Sequence, residues 1–454
     1  MIVIKNGDEK VTRIINKKAV KEDALYRLSR HIYPYSFNGR HLIVNMMSYE
    51  VIELTEQEWD VVMKMKDTAV SISHIRAHGL EQLVLSRYIV EDSHDEIKQY
   101  QQTVFLLKTM SGGKKGLSTY TVFPTTGCNA RCTYCYEEGY IVKTMTVDTA
   151  DKLVDFICKT RYNDIIKLRW FGGEPLVNAD IIRHICSALS ERGVPYTSSM
   201  ITNASLVTKE LAHEAKELWK LEKVQVSVDG AKEDYEKRKR YVSPQKYNYE
   251  SLMQAVHFLA DEGIKVSLRC NYDKENIPGL KSMIDDLEKE FGGMKNVSVY
   301  FHILYQENFK DDYVSQLKAI DDICEYAEEK GLTQENGLRQ GFRANNCMAD
   351  SMDNTIVISP DGTFFNCEHL PEGATWGNIF DGVTDKEKYN ELKAVRPLEK
   401  ECAECCFLSL CTSFRKKNCP DTPKCCREEK QVKIERYLRS LIRKTDKNND
   451  NKKV

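Results

Sequence analysis

From residue 119 to about 305 the chain alternates short apolar runs with longer stretches whose apolar residues recur every three or four positions. The short runs fall at 119–124, 165–171 (IIKLRWF), 197–202, 223–228 (KVQVSV), 265–270 (KVSLRC) and 297–302 (VSVYFH), and their β-branched and aromatic content reads as strand. Helical periodicity occupies the intervals near 147–160, 178–192, 207–219, 249–262 and 276–290. Strands separated by helices predict a parallel sheet with crossover connections, an α/β class. Six repeats are too few for a closed eight-stranded barrel, and in parallel barrels the chemistry gathers at the C-terminal strand ends.

The pattern differs on either side. Residues 41–53 (HLIVNMMSYEVIE) read as two short strands around Met47 and Ser48, followed by Thr55-Glu56-Gln57-Glu58, a capping box that starts a helix. Trp59, Val62, Met63 and Met65 give that helix its apolar side, and a second helix with Leu80, Leu83 and Leu85 leads to a strand at Tyr88, Ile89 and Val90. This predicts a compact winged-helix-like unit over 1–105. Beyond the barrel region (115–310), IVIS, PDG and TFFN read as strand, turn and strand inside a Cys-rich domain over 340–430. Val432, Ile434, Leu438, Leu441 and Ile442 form one stripe of a closing helix within 431–454, whose tail TDKNNDNKKV is expected to be disordered.

Length and charge narrow the picture. A chain of 454 residues exceeds one ordinary core, and a formal charge of −2 leaves no electrostatic footprint for nucleic acid. There is no signal-like N-terminus, and no apolar run approaches the roughly 18 residues a membrane span needs, so no membrane partner is expected. Sixteen cysteines in such a chain indicate cluster or metal ligands in a reducing, cytoplasmic setting; nine crowd between 347 and 426 and none precedes 128.

The most informative stretch is TVFPTTGCNARCTYCYEEG, 121–139, where Cys128, Cys132 and Cys135 are separated by three residues and then two on the loop after the first barrel strand. Three thiolates on one loop can hold three irons of a 4Fe–4S cluster and leave the fourth open; neither a plant-type ferredoxin nor a zinc ribbon has this spacing. The loop resembles that of the radical S-adenosylmethionine (radical SAM) enzymes, including the aromatic Tyr134 before the last cysteine. The resemblance implies a partial (β/α)6 TIM-like barrel in which the cofactor's amino and carboxylate groups chelate the open iron.

Further segments carry the same resemblance. Gly172-Gly173-Glu174-Pro175 follows the second strand, and in the family this turn contacts the methionine amino group, with Glu174 a charge-assisted acceptor. Thr202 and Asn203 correspond to a ribose-contacting segment, and Ser227-Val228-Asp229-Gly230 resembles the SLDG of sulfatase and peptide maturases. The run 236–241 lies where relatives carry an arginine for the cofactor carboxylate, which makes Arg238 and Arg240 candidates, although a charge run is commonly a solvated face. Arg269 and Asn271 end the fifth strand. Cys158, Cys186, Cys270 and Cys324 have no ligand spacing and read as buried thiols.

The C-terminal cysteines resemble a SPASM domain, which carries two auxiliary 4Fe–4S clusters and brings the expected total to three. By position, Cys347, Cys367 and Cys419 would serve the first, and Cys402, Cys405, Cys411 and either Cys425 or Cys426 the second. Arg415 stands where the pattern expects a cysteine, so Cys419, with Cys406 or Cys425 as substitutes, is the departure. Gly341 occupies a position that is cysteine in some relatives, leaving the first cluster an open iron for a substrate thiolate. Glu368, after Cys367, matches an aspartate that accepts a proton in sulfatase maturases and is the catalytic acid/base candidate.

The resemblance implies a peptide maturase that cleaves S-adenosylmethionine to a 5′-deoxyadenosyl radical and forms thioether or carbon–carbon crosslinks in a ribosomal precursor peptide. The N-terminal domain would bind the peptide's leader by strand addition, and flavodoxin or ferredoxin would donate electrons. Two alternatives are a sulfatase maturase making formylglycine and a non-catalytic iron–sulfur protein.

Overall fold

Thr119–Val122 (β1), Ile166–Trp170 (β2), Tyr196–Thr202 (β3), Leu221–Ser227 (β4), Lys265–Tyr272 (β5) and Val297–Ile303 (β6) lie side by side in sequence order, all in parallel pairing. The computed structural model describes residues 2–4, 20–112, 116–162, 164–304, 306–307, 311–332, 352–370, 373–393, 398–411, 425 and 427–451. Helices Val147–Thr160 (α1), Ala179–Glu191 (α2), Lys209–Glu217 (α3), Lys232–Lys239 (α4), Tyr249–Asp261 (α5) and Leu280–Phe291 (α6) make the crossovers. Their apolar faces meet the sheet in one core that includes Leu153, Ile157, Ile182, Leu189, Trp219, Val256 and Leu287.

Two departures from the expected layout matter. Helix α4 overlaps the run 236–241, where a charge run is commonly a solvated face, yet Arg238 and Lys239 are buried, as is Tyr235 just before it. The hairpin expected to belong to the small C-terminal domain instead extends the barrel sheet. Thr355–Ile358 (β7) pairs in parallel with β1, Phe364–Phe365 (β8) folds back on β7, and the open sheet runs β6-β5-β4-β3-β2-β1-β7-β8. The reason is burial: Ile356, Val357 and Ile358 are all enclosed, and Phe364 packs on Phe156 of α1 and on Trp376, each with ring centroids 5.0 Å apart. A continuous apolar strand needs cover on both faces, which the barrel sheet supplies.

In the N-terminal region, Ile2–Ile4, Val51–Leu54, Arg40–Asn45 and Ile32–Phe37 form one antiparallel sheet, in that order, while Val70–Ser71, Leu25–Leu28 and Ile89–Glu91 form a second. The capping box is present: Thr55 accepts from the Glu58 amide, and the Glu58 carboxylate accepts from the Thr55 amide at 2.9 Å, starting helix Glu56–Lys64. Residue 105, the expected domain edge, falls inside helix Glu96–Gly112.

Both faces of the strand Arg40–Asn45 are buried. Ile43 packs with Ile52, Val62 and Leu83, whereas Leu42 and Val44 join Met46, Val51, Phe407 and Ile434, Leu438 and Ile442 of helix Arg427–Asn451 (α7). Helix α7 runs through Asn451, into the stretch expected to be disordered. Arg40 stabilises its later turns, donating to the Ile442 carbonyl, to Thr445 Oγ1 at 3.0 Å and to Asp446 at 2.7 Å, as a cation near a helix C-terminus does. Among the described residues no helix is long and apolar enough to cross a membrane.

Candidate cluster and cofactor site

The cysteine loop leaves β1 and returns to α1 through a narrow neck. Met145 donates its amide to the Pro124 carbonyl at 2.9 Å, and Thr125 Oγ1 donates to the Lys143 carbonyl at 2.9 Å. From there the loop is held by the ends of several strands and by the segment after α4. The Arg131 amide donates to the Lys239 and Arg240 carbonyls and the Thr133 amide to that of Arg238, while Val242 donates to the Asn129 carbonyl at 2.9 Å. Gln306, beyond β6, donates to the Tyr134 carbonyl at 2.7 Å.

The Gly172-Gly173 turn packs backbone against backbone on the start of this loop. A Cβ on Gly172 would stand 2.2 Å from the Thr125 carbonyl oxygen, and one on Gly173 would stand 2.5 Å from the carbonyl oxygens of both Thr126 and Gly127. Only glycine permits that approach, and Gly172 also has φ +129. Glu174 is fully buried at 0% exposure, and buried Pro175 opens the short helical turn after it. The Glu174 carboxylate accepts from the Leu176 amide at 3.0 Å, Thr202 Oγ1 at 2.7 Å and the Asn203 amide at 2.7 Å. Burial still holds its carboxyl above the ordinary value. Thr202 and Asn203, expected at the ribose, thus position Glu174. Asn203 Nδ2 also donates to Asn129 Oδ1 at 3.0 Å and approaches Cys128 Sγ at 3.9 Å.

Past β4 lies a buried polar network. Asp229 accepts from the Tyr134 hydroxyl, from Lys239 Nζ at 2.9 Å and from Asn271 Nδ2 at 2.8 Å. Arg269 Nε donates to Asn271 Oδ1 at 2.9 Å, and Ser227, half-buried, is paired with Arg269 across the β4–β5 ladder. Of the run's basic residues, Arg238 is engaged on both nitrogens by Asp273, at 3.0 and 2.7 Å, and Arg240 is exposed in a left-handed conformation at φ 48. Lys239 is the one turned toward the loop. Sequence pattern missed it because nothing local distinguishes it from its neighbours; its partner Asp229 lies ten positions back, on another element.

The hairpin end lies against the far side of the loop. Tyr136 stacks on His369 with centroids 4.5 Å apart, and the Tyr140 hydroxyl donates to the His369 carbonyl at 2.8 Å. Beside Tyr136, the Glu137 carboxyl is pushed up to about 7 by burial, with Glu368 adding in the same direction. Glu368 is therefore close enough to act on the cluster loop, which also contributes a carboxyl that the motif did not flag. In the segment after 398, burial raises the Cys402 thiol, with Glu399, Cys425 and Cys405 adding in the same direction, while Cys405 and Cys406 pack against the core that the N-terminal sheet shares with the last helix, Cys406 beside Tyr33. Cys411 closes the turn Cys406–Leu410. Cys347, Cys419 and Cys426 lie outside the described residues.

The residues present fit an iron–sulfur cluster and its cofactor. Three thiols without a competing disulfide occupy one half-buried loop, and the glycine turn gives it close backbone contact on one flank. Burial pushes the Cys128 thiol up to about 12 and raises those of Cys132 and Cys135, protons that metal ligation displaces. Among the described residues no three His, Cys, Asp or Glu side chains converge on a single ion. A four-iron cluster instead binds each cysteine to a separate iron.

Comparison with known proteins agrees with this geometry. Residues 122–287 match the family model of the Radical SAM superfamily. Fe-coproporphyrin III synthase of Methanosarcina barkeri is 28% identical over 37% of this chain, and the match spans only 40% of that protein's length. An uncharacterized protein of Methanocaldococcus jannaschii is 25% identical over 57% of this chain and 87% of its own. In fold, the chain is similar to native anSMEcpe with bound AdoMet: TM-score 0.55 at 18% identity, covering 72% of this chain and 99% of that one. It is also similar to Streptococcus suis SuiB bound to precursor peptide SuiA, with TM-score 0.50 at 15% identity over 86% and 95% of the two chains. At the centre of this chain, with its cysteine loop on the first strand end, is a radical SAM domain.

Proposed function

We propose that the protein is a radical SAM peptide maturase that crosslinks a ribosomally made precursor, through thioether or carbon–carbon bonds. The observation that carries this reading is the three-thiol loop, set at the C-terminal ends of the barrel strands with the Gly172-Gly173 backbone against one flank and Cys367-Glu368 near the other. Cys128, Cys132 and Cys135 would hold the cluster, and the 172–174 backbone would face the cofactor's amino group. When bound, cluster and cofactor together supply a 5′-deoxyadenosyl radical that removes hydrogen from unactivated carbon. The protein's part is positioning, exclusion of water and proton handling. Glu368, with Glu137 near enough to feel its charge, would take the substrate's proton.

Arg269, with Ser227 paired beside it, would take the cofactor carboxylate, since Arg238 is committed to Asp273 and Arg240 faces outward. Cys402, Cys405, Cys411 and Cys425 would hold one auxiliary cluster, and Cys367, with cysteines outside the described residues, the other. The N-terminal region would take the leader of the precursor at a sheet edge. SuiB, a fold relative, is described with a bound precursor peptide, which is consistent with that substrate class. Flavodoxin or ferredoxin would supply the electron.

The test is anaerobic loading with iron and sulfide, reduction, and assay for 5′-deoxyadenosine with and without short Cys-containing precursors encoded beside the gene. Release of deoxyadenosine with loss of two hydrogens from the peptide and a new bond joining two of its residues supports the reading. No deoxyadenosine would overturn the enzymatic reading; deoxyadenosine with conversion of a peptide cysteine or serine to formylglycine would favour the sulfatase-maturase alternative, to which Glu368 points.

A further inference from the structure

Helix α4 ends in Arg238-Lys239 and stops at Arg240, whose left-handed φ of 48 breaks the helical register. The two side chains turn inward with different partners, and Lys239 is 2% exposed. Its ammonium lies 2.9 Å from Asp229 Oδ2 and 3.1 Å from the Tyr134 hydroxyl, over the Tyr134 and Tyr235 rings at 5.7 and 5.9 Å from their centroids. Its own carbonyl accepts from the Arg131 amide of the cysteine loop. One residue therefore grips the loop twice, by main chain at Arg131 and by side chain at Tyr134.

A buried ammonium is costly without a counter-ion, and burial works against its proton; Asp229 together with the neighbouring Tyr134, Cys132 and Tyr235 outweighs burial and keeps it charged. The surroundings are otherwise anionic. Glu174 and Asp229 are both fully buried, and the loop adds three thiolates once it is loaded. Arg238 is neutralised by Asp273, but Lys239 bears on Cys132, Cys135 and Glu174 alike. In a low-dielectric interior a fixed positive charge near a cluster favours its reduced form.

Building on the radical SAM reading, we propose that Lys239 is the positioning residue and fixed counter-charge of the cysteine loop. By tying Tyr134 to Asp229 it shapes the loop before iron arrives, and by its charge it raises the potential at which the loaded cluster accepts an electron.

The test compares wild type, Lys239→Met, Lys239→Arg, Asp229→Asn and, as an exposed control, Lys237→Met, each loaded under anoxia. The readouts are iron per chain and the midpoint potential of the cluster whose paramagnetic resonance signal changes on adding S-adenosylmethionine. Lys239→Met should hold less iron and shift the potential negative, Lys239→Arg should recover it, and Lys237→Met should match wild type. Asp229→Asn, which deletes this anion while the thiolates of the loaded loop keep Lys239 charged, should shift the potential positive, and it serves where the Met variant does not load. Potentials that stay at the wild-type value, or move the same way in the Met and Asn variants, overturn the inference even if melting temperatures fall. A wild-type loop that loads no S-adenosylmethionine-responsive cluster would instead overturn the radical SAM reading itself.

Discussion

The cysteine loop at 128–135 and the cysteine segment at 402–411 are held in place by different physics. Around the loop the anchors are backbone and polar: carbonyls 238–240, Gln306, Asn203, Asp229 and the bare backbone of Gly172 and Gly173. The later segment is anchored chiefly by Phe407 and Leu408, nearly fully buried. Phe407 enters a small core shared by the N-terminal sheet and α7. Its polar ties also reach the N-terminal region: Ser409 donates to the Met46 carbonyl, Arg30 to that of Ala403 at 3.0 Å, and Tyr100 to that of Leu408. The first site is built into the barrel. The second sits where three parts of the chain meet, so its integrity depends on residues 363 and 373 positions away in sequence as much as on its own cysteines.

The largest effect should come from replacing Cys128, Cys132 and Cys135 together with Ala. Cofactor cleavage should fall to background, while iron bound through the C-terminal cysteines remains. Deoxyadenosine from that variant would break the comparison at its root. Next is Phe407→Ala, expected to destabilise the junction by about 3–5 kcal/mol from lost burial and the cavity left behind. A thermal melt should show it, with the cofactor-responsive cluster still loaded; loss of that cluster would mean the two sites are not independent.

Arg238→Gln leaves Asp273 as a mostly buried carboxylate without its cation and should cost about 3 kcal/mol near neutral pH. Burial alone would raise the Asp273 carboxyl, but Arg238 more than offsets it and holds it below 3.8. A carboxyl depressed in the folded state contributes stability above its unfolded value, lost as pH falls through the folded one. The wild-type advantage over Arg238→Gln should therefore shrink below pH 3.8 in denaturant titrations. The smallest effect, roughly 1–3 kcal/mol, is expected for Gly173→Ala, which forces the loop neck outward. Calorimetry should show weaker S-adenosylmethionine binding to the loaded protein, with the Phe407 junction unaffected.

The contrast also explains what the sequence could reveal. Strands β1 to β6 were legible because each is a short apolar run set between amphipathic helices, and the three cysteines because their spacing is local. Helix α4 was not, since two of its three inward residues are charged and satisfied by distant carboxylates, Asp229 and Asp273. The strand character of 356–358 was visible, but its partner was not: no local pattern couples it to β1. HLIV at 41–44 did hold a clue to the junction, because apolar residues at consecutive positions point to opposite faces of a strand, and both must be covered.

The pairing of β7 with β1 has a consequence for synthesis. Ser118 bonds to a carbonyl 236 positions downstream, so the edge of β1 stays bare until nearly four-fifths of the chain has emerged from the ribosome. A nascent barrel with an open parallel edge next to its cysteine loop is both sticky and late to close. Iron delivered before that seam forms would meet a loop whose hairpin flank, at Tyr136 and His369, does not yet exist. Iron supplied after translation has passed the hairpin would instead meet the loop with both flanks in place.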